Sequence, residues 1–404
     1  MKRLLSICLG VLLSVSCVSL LKKFTVGGEN ITVCAEEGKT LELQGNTEDL
    51  HLRAKSAYMM DAQSMTCIYQ NNPTKPLPIA SMCKIMTLIL SFDEIEKGNL
   101  SFDEQIKVSE RASKMGGSQV FLEAGGEYRV VELIKSIIVC SANDSCVAMA
   151  ERICGSEEVF CDRMNERAKE LGAENTLFSN CTGLPKDPQY SCAKDVALFL
   201  RELTRHEEYF RLASIWSDRF YHPQGRYTEI TNTNRLIRFY DGCDGGKTGF
   251  TNQAGFCLAA TAKRGEMRII SVVIGEETSD HRFADVRTMF DYAFANYTLK
   301  TAVDGNNVLP QKVKVVGGKK EYITVRPQKS LFVFARRGEK EDYSVEIKLK
   351  KSVKAPVKAG RRVGEIILYK NQIEVDRVPI VANESAKRGN IFDYLKSIGD
   401  AWNS

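Results

Sequence analysis

Ten residues constrain this chain more than any others: Pro78-Ile79-Ala80-Ser81-Met82-Cys83-Lys84-Ile85-Met86-Thr87. Pro78 suits the opening of a helix, where its missing N–H would have had no partner. The apolar run 85–90 then continues as a helix with the composition of a buried one. Ser81 and Lys84 stand three residues apart and so share a helical face. A serine hydroxyl is a poor nucleophile until a base takes its proton, and a lysine one turn away can do so where burial favours a neutral amine. Free N–H groups at a helix start can also stabilise an oxyanion. Taken alone, S-x-x-K is a weak signal and reads more readily as a plain helix N-terminus with a surface lysine, so the rest of the chain must decide.

With 404 residues the chain has room for about two domains. Segments 57–61 and 65–69 read as paired strands around a turn at 62–64, and 71–76 breaks the pattern before the Ser81 helix. From 91 to about 172 the chain reads as mainly helical, with an apolar run at 133–140 and a helix through 147–152; another helix covers 195–203. Two buried strands follow at 258–261 and 267–274. An amphipathic helix then spans 281–297, with Phe283, Val286, Phe290, Ala293 and Tyr297 on one face. Strands, helices and strands again predict an α+β layer whose antiparallel sheet holds both chain ends. Beyond about 301, short β-type runs at 313–316, 322–325, 331–335, 343–349, 362–369 and 372–379 predict a small all-β domain.

The ends differ from the middle. Lys2 and Arg3 precede an apolar stretch from 4 to 21, which reads as an export signal ending near Val33-Cys34-Ala35, with an uncleaved anchor as the other option. The net charge of +5 is uneven: from Lys300 onward 22 Lys+Arg face 12 Asp+Glu, so the preceding part is acidic. Such a basic third suits an anionic surface, phospholipid or wall polymer, or simply a lysine-rich soluble domain. Ile391, Leu395, Ile398 and Trp402 fall on one helical face with Phe392 beside them, and Lys387, Arg388 and Lys396 accompany it. That favours a helix lying on a membrane surface over one packed on its own protein. Ten of the thirteen cysteines lie between Cys67 and Cys257 in mostly apolar contexts without C-x-x-C spacing, so they read as reduced core residues, with Cys154–Cys161 the one pair worth testing for a bridge. His51, His206, His222 and His281 are dispersed and no Gly-rich phosphate loop follows a strand, so neither metal nor other cofactor is expected, and no nucleic-acid partner.

Two further segments decide the S-x-x-K question. Ser141-Ala142-Asn143 lies between two helical stretches, and Lys247-Thr248-Gly249 stands just before the strand at 258. S-x-x-K, S-x-N and K-T-G in that order form the set found in class A β-lactamases and penicillin-binding proteins. With Thr182-Gly183-Leu184-Pro185 and Asp244-Gly245-Gly246-Lys247-Thr248-Gly249-Phe250-Thr251, the chain from about 54 to 379 resembles the low-molecular-mass penicillin-binding proteins that are D-alanyl-D-alanine carboxypeptidases. The resemblance implies a β-lactamase/transpeptidase-like catalytic domain, an antiparallel sheet with a helical subdomain, followed by the all-β domain and the C-terminal amphipathic helix. The expected boundaries are signal peptide 1–35, linker 36–50, catalytic domain 51–298, β domain 299–382 and anchoring helix 383–404. It implies Ser81 as acylated nucleophile, Lys84 as its base and Ser141 as proton relay, with Asn143 beside it. Lys247, Thr248, Gly249, Thr251 and Arg282 would bind the substrate, and the backbone N–H groups of Ser81 and Phe250 would form the oxyanion hole. Two departures stand out: cysteine at 83, where threonine is usual, and alanine at 142 in place of the commoner glycine. Neither removes a reacting group.

The implied partners are the peptidoglycan stem peptide, β-lactam antibiotics and, through the C-terminal helix, the outer face of the bacterial cytoplasmic membrane. A secreted serine β-lactamase shares the three motifs, but Glu166-Arg167-Ala168-Lys169-Glu170 lacks the asparagine of the E-x-x-x-N loop that drives fast deacylation in that class. A catalytically inactive wall-binding protein would be expected to have lost one of Ser81, Lys84, Ser141 or Lys247, and all four are present.

Overall fold

The computed structural model describes residues 49–338 and 343–390, together with the backbone of two short strands, β1 (Lys22–Val26) and β2 (Glu29–Val33). These two pair antiparallel, Phe24 opposite Ile31, in a unit of their own. Most of the expected signal segment and linker, and residues 391–404 of the expected anchoring helix, lie outside the described residues.

The remainder begins with strands β3 (Ser56–Asp61) and β4 (Cys67–Asn71), followed by a 3-10 turn, Ala80–Cys83, that runs into α1 (Lys84–Glu96). Next come β5 (Gln105–Lys107), α2 (Glu110–Ser113), β6 (Glu127–Arg129), α3 (Val130–Val139), α4 (Asn143–Cys154) and α5 (Glu157–Glu170). Helices α6 (Ala193–Leu203) and α7 (Glu207–Ala213) lead to a hairpin of β7 (Ser217–Tyr221) and β8 (Tyr227–Thr231), then α8 (Leu236–Phe239). Strands β9 (Cys243–Thr251), β10 (Gly255–Arg264) and β11 (Met267–Glu276) and helix α9 (Ser279–Asn296) complete the first domain.

Its sheet is antiparallel in the order β4-β3-β11-β10-β9, so the two chain ends do share one sheet. The central strands β3, β11 and β10 are mostly apolar because both faces are covered. Tyr58, Met60, Cys257, Ala259, Ile270 and Val272 pack into the helical layer. Their neighbours Ala57, Met59, Leu258, Ala260, Ile269 and Val273 pack with Phe283, Val286, Phe290 and Ala293 of α9 on the other side. Helix α1 threads the helical layer and buries every residue from Lys84 to Phe92. The 91–172 stretch is less helical than its composition suggests: β5 and β6 pair antiparallel around an irregular loop. Tyr297, expected on the face of α9, instead opens the next strand.

The second domain is all-β. Strands β12 (Tyr297–Val303), β13 (Lys312–Val316), β14 (Tyr322–Pro327), β15 (Leu331–Arg336), β16 (Tyr343–Leu349), β17 (Ser352–Lys354), β18 (Arg362–Lys370) and β19 (Ile373–Ala382) form a β12-β15 pair and a sheet ordered β16-β18-β19-β14-β13-β17. Alternating Val, Ile and Leu side chains of these strands make its own core. Residues 383–390, assigned from sequence to the start of a helix, are extended instead. Ala386 bridges to Val357 and Arg388 to Gly318, and the Gly389 N–H donates to the Gly317 carbonyl at 2.9 Å. Sheet pairing at this edge satisfies backbone groups that a helix start would leave open.

Among the described residues, Cys154 and Cys161 are both free cysteines. No described helix is long and apolar enough to cross a membrane, and no described cluster of His, Cys, Asp or Glu has the makings of a metal site.

Candidate active site

Ser81 sits in the 3-10 turn, not in the α-helix proper, and Pro78 precedes that turn by two residues. Ala80, just before Ser81, adopts a left-handed backbone, φ 48°. Lys84 opens α1 with its side chain fully buried, and its Nζ donates to Ser81 Oγ at 2.9 Å and to the Thr182 carbonyl at 2.5 Å. The S-x-x-K pair is therefore a hydrogen-bonded couple facing inward, the opposite of a surface lysine.

Ser141 occupies the junction of α3 and α4, also left-handed at φ 66°. Its Oγ is buried and has no hydrogen-bond partner. Asn143 is held by its neighbours, its N–H on the Ser118 carbonyl and its Nδ2 on the Gly116 carbonyl, both at 2.7 Å, while Oδ1 stays unpartnered. A buried polar atom without a partner is costly, so two on one wall mark a surface shaped for something that supplies the bonds.

The third segment lies on β9, an edge strand paired only with β10. Lys247 stands opposite Ala259 and so faces the helical layer. Its Nζ donates to the Thr248 carbonyl at 3.1 Å. Burial, then the positive charge of Lys84, push the Lys247 amine down to about 7. Thr248 donates its hydroxyl to Thr233 Oγ1 at 2.8 Å. Gly249 lies against the Ser81 turn so closely that a Cβ there would sit 2.6 Å from the Ile79 carbonyl oxygen. Glycine lets the strand edge approach the nucleophile.

The remaining predicted residues are placed less directly. Thr251 Oγ1 accepts the Ala254 N–H at 3.0 Å in the β9–β10 turn. Phe250 is half-exposed and stacks on Phe256, ring centroids 4.2 Å apart. Arg282, in the first turn of α9, spends its guanidinium on the Gly249 and Cys257 carbonyls at 3.2 and 3.4 Å and on Ser279 Oγ at 3.2 Å. Burial lowers it to about 10. Here Arg282 braces β9 from behind.

Sequence reading missed several groups that hold this site. The Thr182 carbonyl takes the Lys84 proton donor, and Asn180 Oδ1 fixes the loop by accepting the Thr182 and Gly183 N–H groups at 3.1 and 2.7 Å. The Tyr209 hydroxyl accepts the Gly246 N–H at 2.7 Å, at the start of K-T-G. Thr233 joins the two walls: its hydroxyl meets Thr248, and its N–H donates at 3.0 Å to the Val139 carbonyl, two residues before Ser141. A carbonyl acceptor carries no residue-type signal; only Gly183, inside Thr182-Gly183-Leu184-Pro185, hinted at a close approach.

Comparison with known proteins agrees along almost the whole chain. A sequence profile described as D-alanyl-D-alanine carboxypeptidase matches residues 43–278, and one described as penicillin-binding protein 5, C-terminal domain, matches 297–388. The D-alanyl-D-alanine carboxypeptidase DacF of Bacillus subtilis is 39% identical over 357 residues, which cover 88% of this chain and 92% of that protein. Among solved structures, a peptidoglycan synthesis regulatory factor (PBP3) from Streptococcus pneumoniae superposes with a TM-score of 0.71 at 26% identity, covering 83% of this chain and all of that one. Penicillin-binding protein D2 from Listeria monocytogenes, in its ampicillin-bound form, superposes with a TM-score of 0.55 at 30% identity, covering 61% of this chain and 100% of that one.

Proposed function

This chain belongs to the D-alanyl-D-alanine carboxypeptidase family and is a penicillin-binding serine carboxypeptidase, and we propose that Ser81 carries its acyl intermediate. The observation that carries the assignment is the buried couple of Ser81 Oγ and Lys84 Nζ, 2.9 Å apart, together with a second buried serine, Ser141, whose hydroxyl has no partner. Lys84 Nζ takes the Ser81 proton as Oγ attacks the carbonyl of the penultimate D-alanine. The oxyanion falls to the backbone N–H groups of Ser81 and Phe250. Ser141, with a hydroxyl committed to nothing else, relays the proton to the departing D-alanine amine. The acyl-enzyme on Ser81 is then hydrolysed by water, with the same groups working in reverse.

The terminal carboxylate of the substrate is met by Lys247, Thr248 and Thr251, with Asn143 along the opposite wall and Gly249 giving the peptide backbone room. Arg282 acts behind them: through the Gly249 carbonyl it sets the height of the strand edge, and its unpartnered Nε adds positive potential. A β-lactam enters as a mimic of the same dipeptide, acylates Ser81 and leaves slowly. The ampicillin-bound Listeria relative supports that reading. The natural substrate is the peptidoglycan stem pentapeptide. The apolar N-terminal stretch supports export, and the apolar face at Ile391, Leu395, Ile398 and Trp402 supports a tether on the outer face of the cytoplasmic membrane, with the β domain as spacer.

Mass spectrometry after incubation with benzylpenicillin, and separately with a D-Ala-D-Ala peptide, tests the site. A lasting adduct on Ser81 together with D-alanine release is the expected result. An adduct elsewhere, or peptide turnover that survives Ser81→Ala, would overturn it.

A further inference from the structure

The helical layer carries a second opening, an open cleft of about 1000 Å³ bounded by the 123–129 loop, α3 and the tip of the β7–β8 hairpin. Lys135 is buried in its floor between Glu132 and Asp218, at 2.7 Å from each. The Tyr128 hydroxyl and His222 Nδ1 share a hydrogen bond of 3.0 Å in its wall. Tyr221 stands on its rim, 59% exposed. The floor holds one cation between two carboxylates, and the whole lining sets Arg129, Lys135 and Arg219 against Glu123, Glu127, Glu132 and Asp218, so the cleft is close to neutral, with polar walls and one open aromatic plate. That combination suits a neutral, polyhydroxylated ligand better than an ion: ring C–H faces lie on the tyrosine and hydroxyls meet side-chain donors and acceptors.

Its place in the fold says which one. Three elements run from the catalytic wall into this cleft. Along α3, Lys135 and Glu132 lie six and nine residues before Ser141; the helical part, to Val139, rises about 6 and 10 Å at 1.5 Å per residue, and Cys140 and Ser141 extend it. The loop whose Gly116 and Ser118 carbonyls hold Asn143 reaches the cleft at Glu123. Between these points Phe121 is held left-handed at φ 64° and is 54% exposed. The hairpin leads from Thr233, on the catalytic wall, to Tyr221. In an acyl-enzyme on Ser81, four stem-peptide residues separate the acylated carbonyl from the sugar that bears the peptide, and four extended residues span about 13–14 Å. The cleft therefore lies one stem peptide away from the catalytic wall.

We propose that this cleft binds the glycan of the substrate, the N-acetylated amino sugar that carries the stem peptide, with Tyr221 as its stacking face. The assignment rests on Ser81 as the acylated residue. As uniform binding, made equally in the ground and transition states, this contact lowers KM and leaves kcat unchanged.

The test compares two substrates on the full chain: the free stem pentapeptide and the same pentapeptide on its disaccharide. The wild-type protein is expected to show a KM about tenfold lower for the disaccharide form at equal kcat. Tyr221→Ala should bring the two KM values within twofold, and Tyr221→Phe, which keeps the ring, should preserve the difference. Turnover of the free pentapeptide, too short to reach the cleft, reports folding in each variant. Equal KM values in the wild-type protein, or a preference that survives Tyr221→Ala, would overturn the proposal. Failure of the Ser81 assignment is read separately, as free-pentapeptide turnover retained by Ser81→Ala.

Discussion

Replacing Gly183 with alanine tests how firmly the loop behind the nucleophile holds it. Gly183 is left-handed, φ 81°, and a Cβ there would lie 2.1 Å from the Ala80 carbonyl oxygen, 2.4 Å from its carbon and 2.8 Å from the Ser81 nitrogen. Ordinary contact begins near 3.4 Å, so loop and turn must part by about 1.3 Å. The obstructing atoms are backbone, and no rotamer change relieves them. The left-handed conformation costs about 1–2 kcal/mol and the forced repacking about 1–3 more. For a domain of this size that lowers Tm by roughly 5–15 °C. The chemistry should suffer more. The Thr182 carbonyl that positions Lys84 moves with residue 183, and a misplacement of about 1 Å costs about 100-fold in rate. The assay is the second-order rate constant for acylation by benzylpenicillin, followed by intact mass, with Tm measured beside it. Gly172→Ala is the control: it carries the same backbone sign, φ 78°, with nothing within 4 Å, so it should lose stability alone. Acylation by Gly183→Ala within threefold of wild type would refute the argument that this contact sets the geometry of the nucleophile.

Three further outcomes follow from the structure. Lys247, held near 7 by burial and the Lys84 charge, gives up its proton above that pH and with it the positive charge that meets the substrate carboxylate; kcat/KM should fall about tenfold from pH 6 to pH 8, and a flat profile would sink the idea. Glu276 is buried beside Asp285, and burial followed by that neighbour raises its carboxyl, so the folded state keeps a proton the unfolded chain has lost. Stability therefore falls as pH rises from below the unfolded value through the raised folded one, and in Glu276→Gln the Tm should drop less between pH 5 and pH 9 than in wild type. Deleting residues 391–404 should move the protein from the membrane to the soluble fraction with carboxypeptidase activity intact; retention on the membrane would assign anchoring to the N-terminal segment instead.

What the sequence made legible, and what it hid, divides along one physical line. Ser81, Lys84, Ser141, Asn143 and Lys247 are chemistry carried by side chains, and residue type alone announces it. The buried strands were equally plain, because a strand covered on both faces must be apolar along its covered stretch, as β3 is from Ala57 to Met60 and β10 from Cys257 to Ala260. The groups that escaped notice act through backbone or through a neighbour's hydroxyl: the Thr182 carbonyl, the Ser118 carbonyl, Thr233. The β5–β6 ladder was hidden for a related reason. Three-residue strands are too short to show a period, and α2 between them and α3 after them set the texture. Residues 386–390 misled in the opposite direction, since Lys387 and Arg388 read as the polar flank of a helix while their backbones pair with the β domain.

The same division explains how the site is built. Ala80, Phe121 and Ser141 all take left-handed backbones that cost L-residues about 1–2 kcal/mol each. Each is over-determined by its surroundings: Ala80 by the Gly183 loop, Phe121 by Asp144, which accepts the Val120 and Leu122 N–H groups at 3.1 Å, and Ser141 by the α3–α4 junction. Three strained positions on three different segments are not local turn chemistry. They are the consequence of bringing backbones together more closely than side chains would allow, which also requires glycine at 183 and 249. The return is that Ser141 is presented by the main chain itself, so its hydroxyl needs no holding partner and stays open to a proton in transit, while the Ser81 hydroxyl meets Lys84. A residue that fixed Ser141 Oγ by hydrogen bond would relieve a buried unsatisfied group and stabilise the fold, and by that bond it would remove the relay.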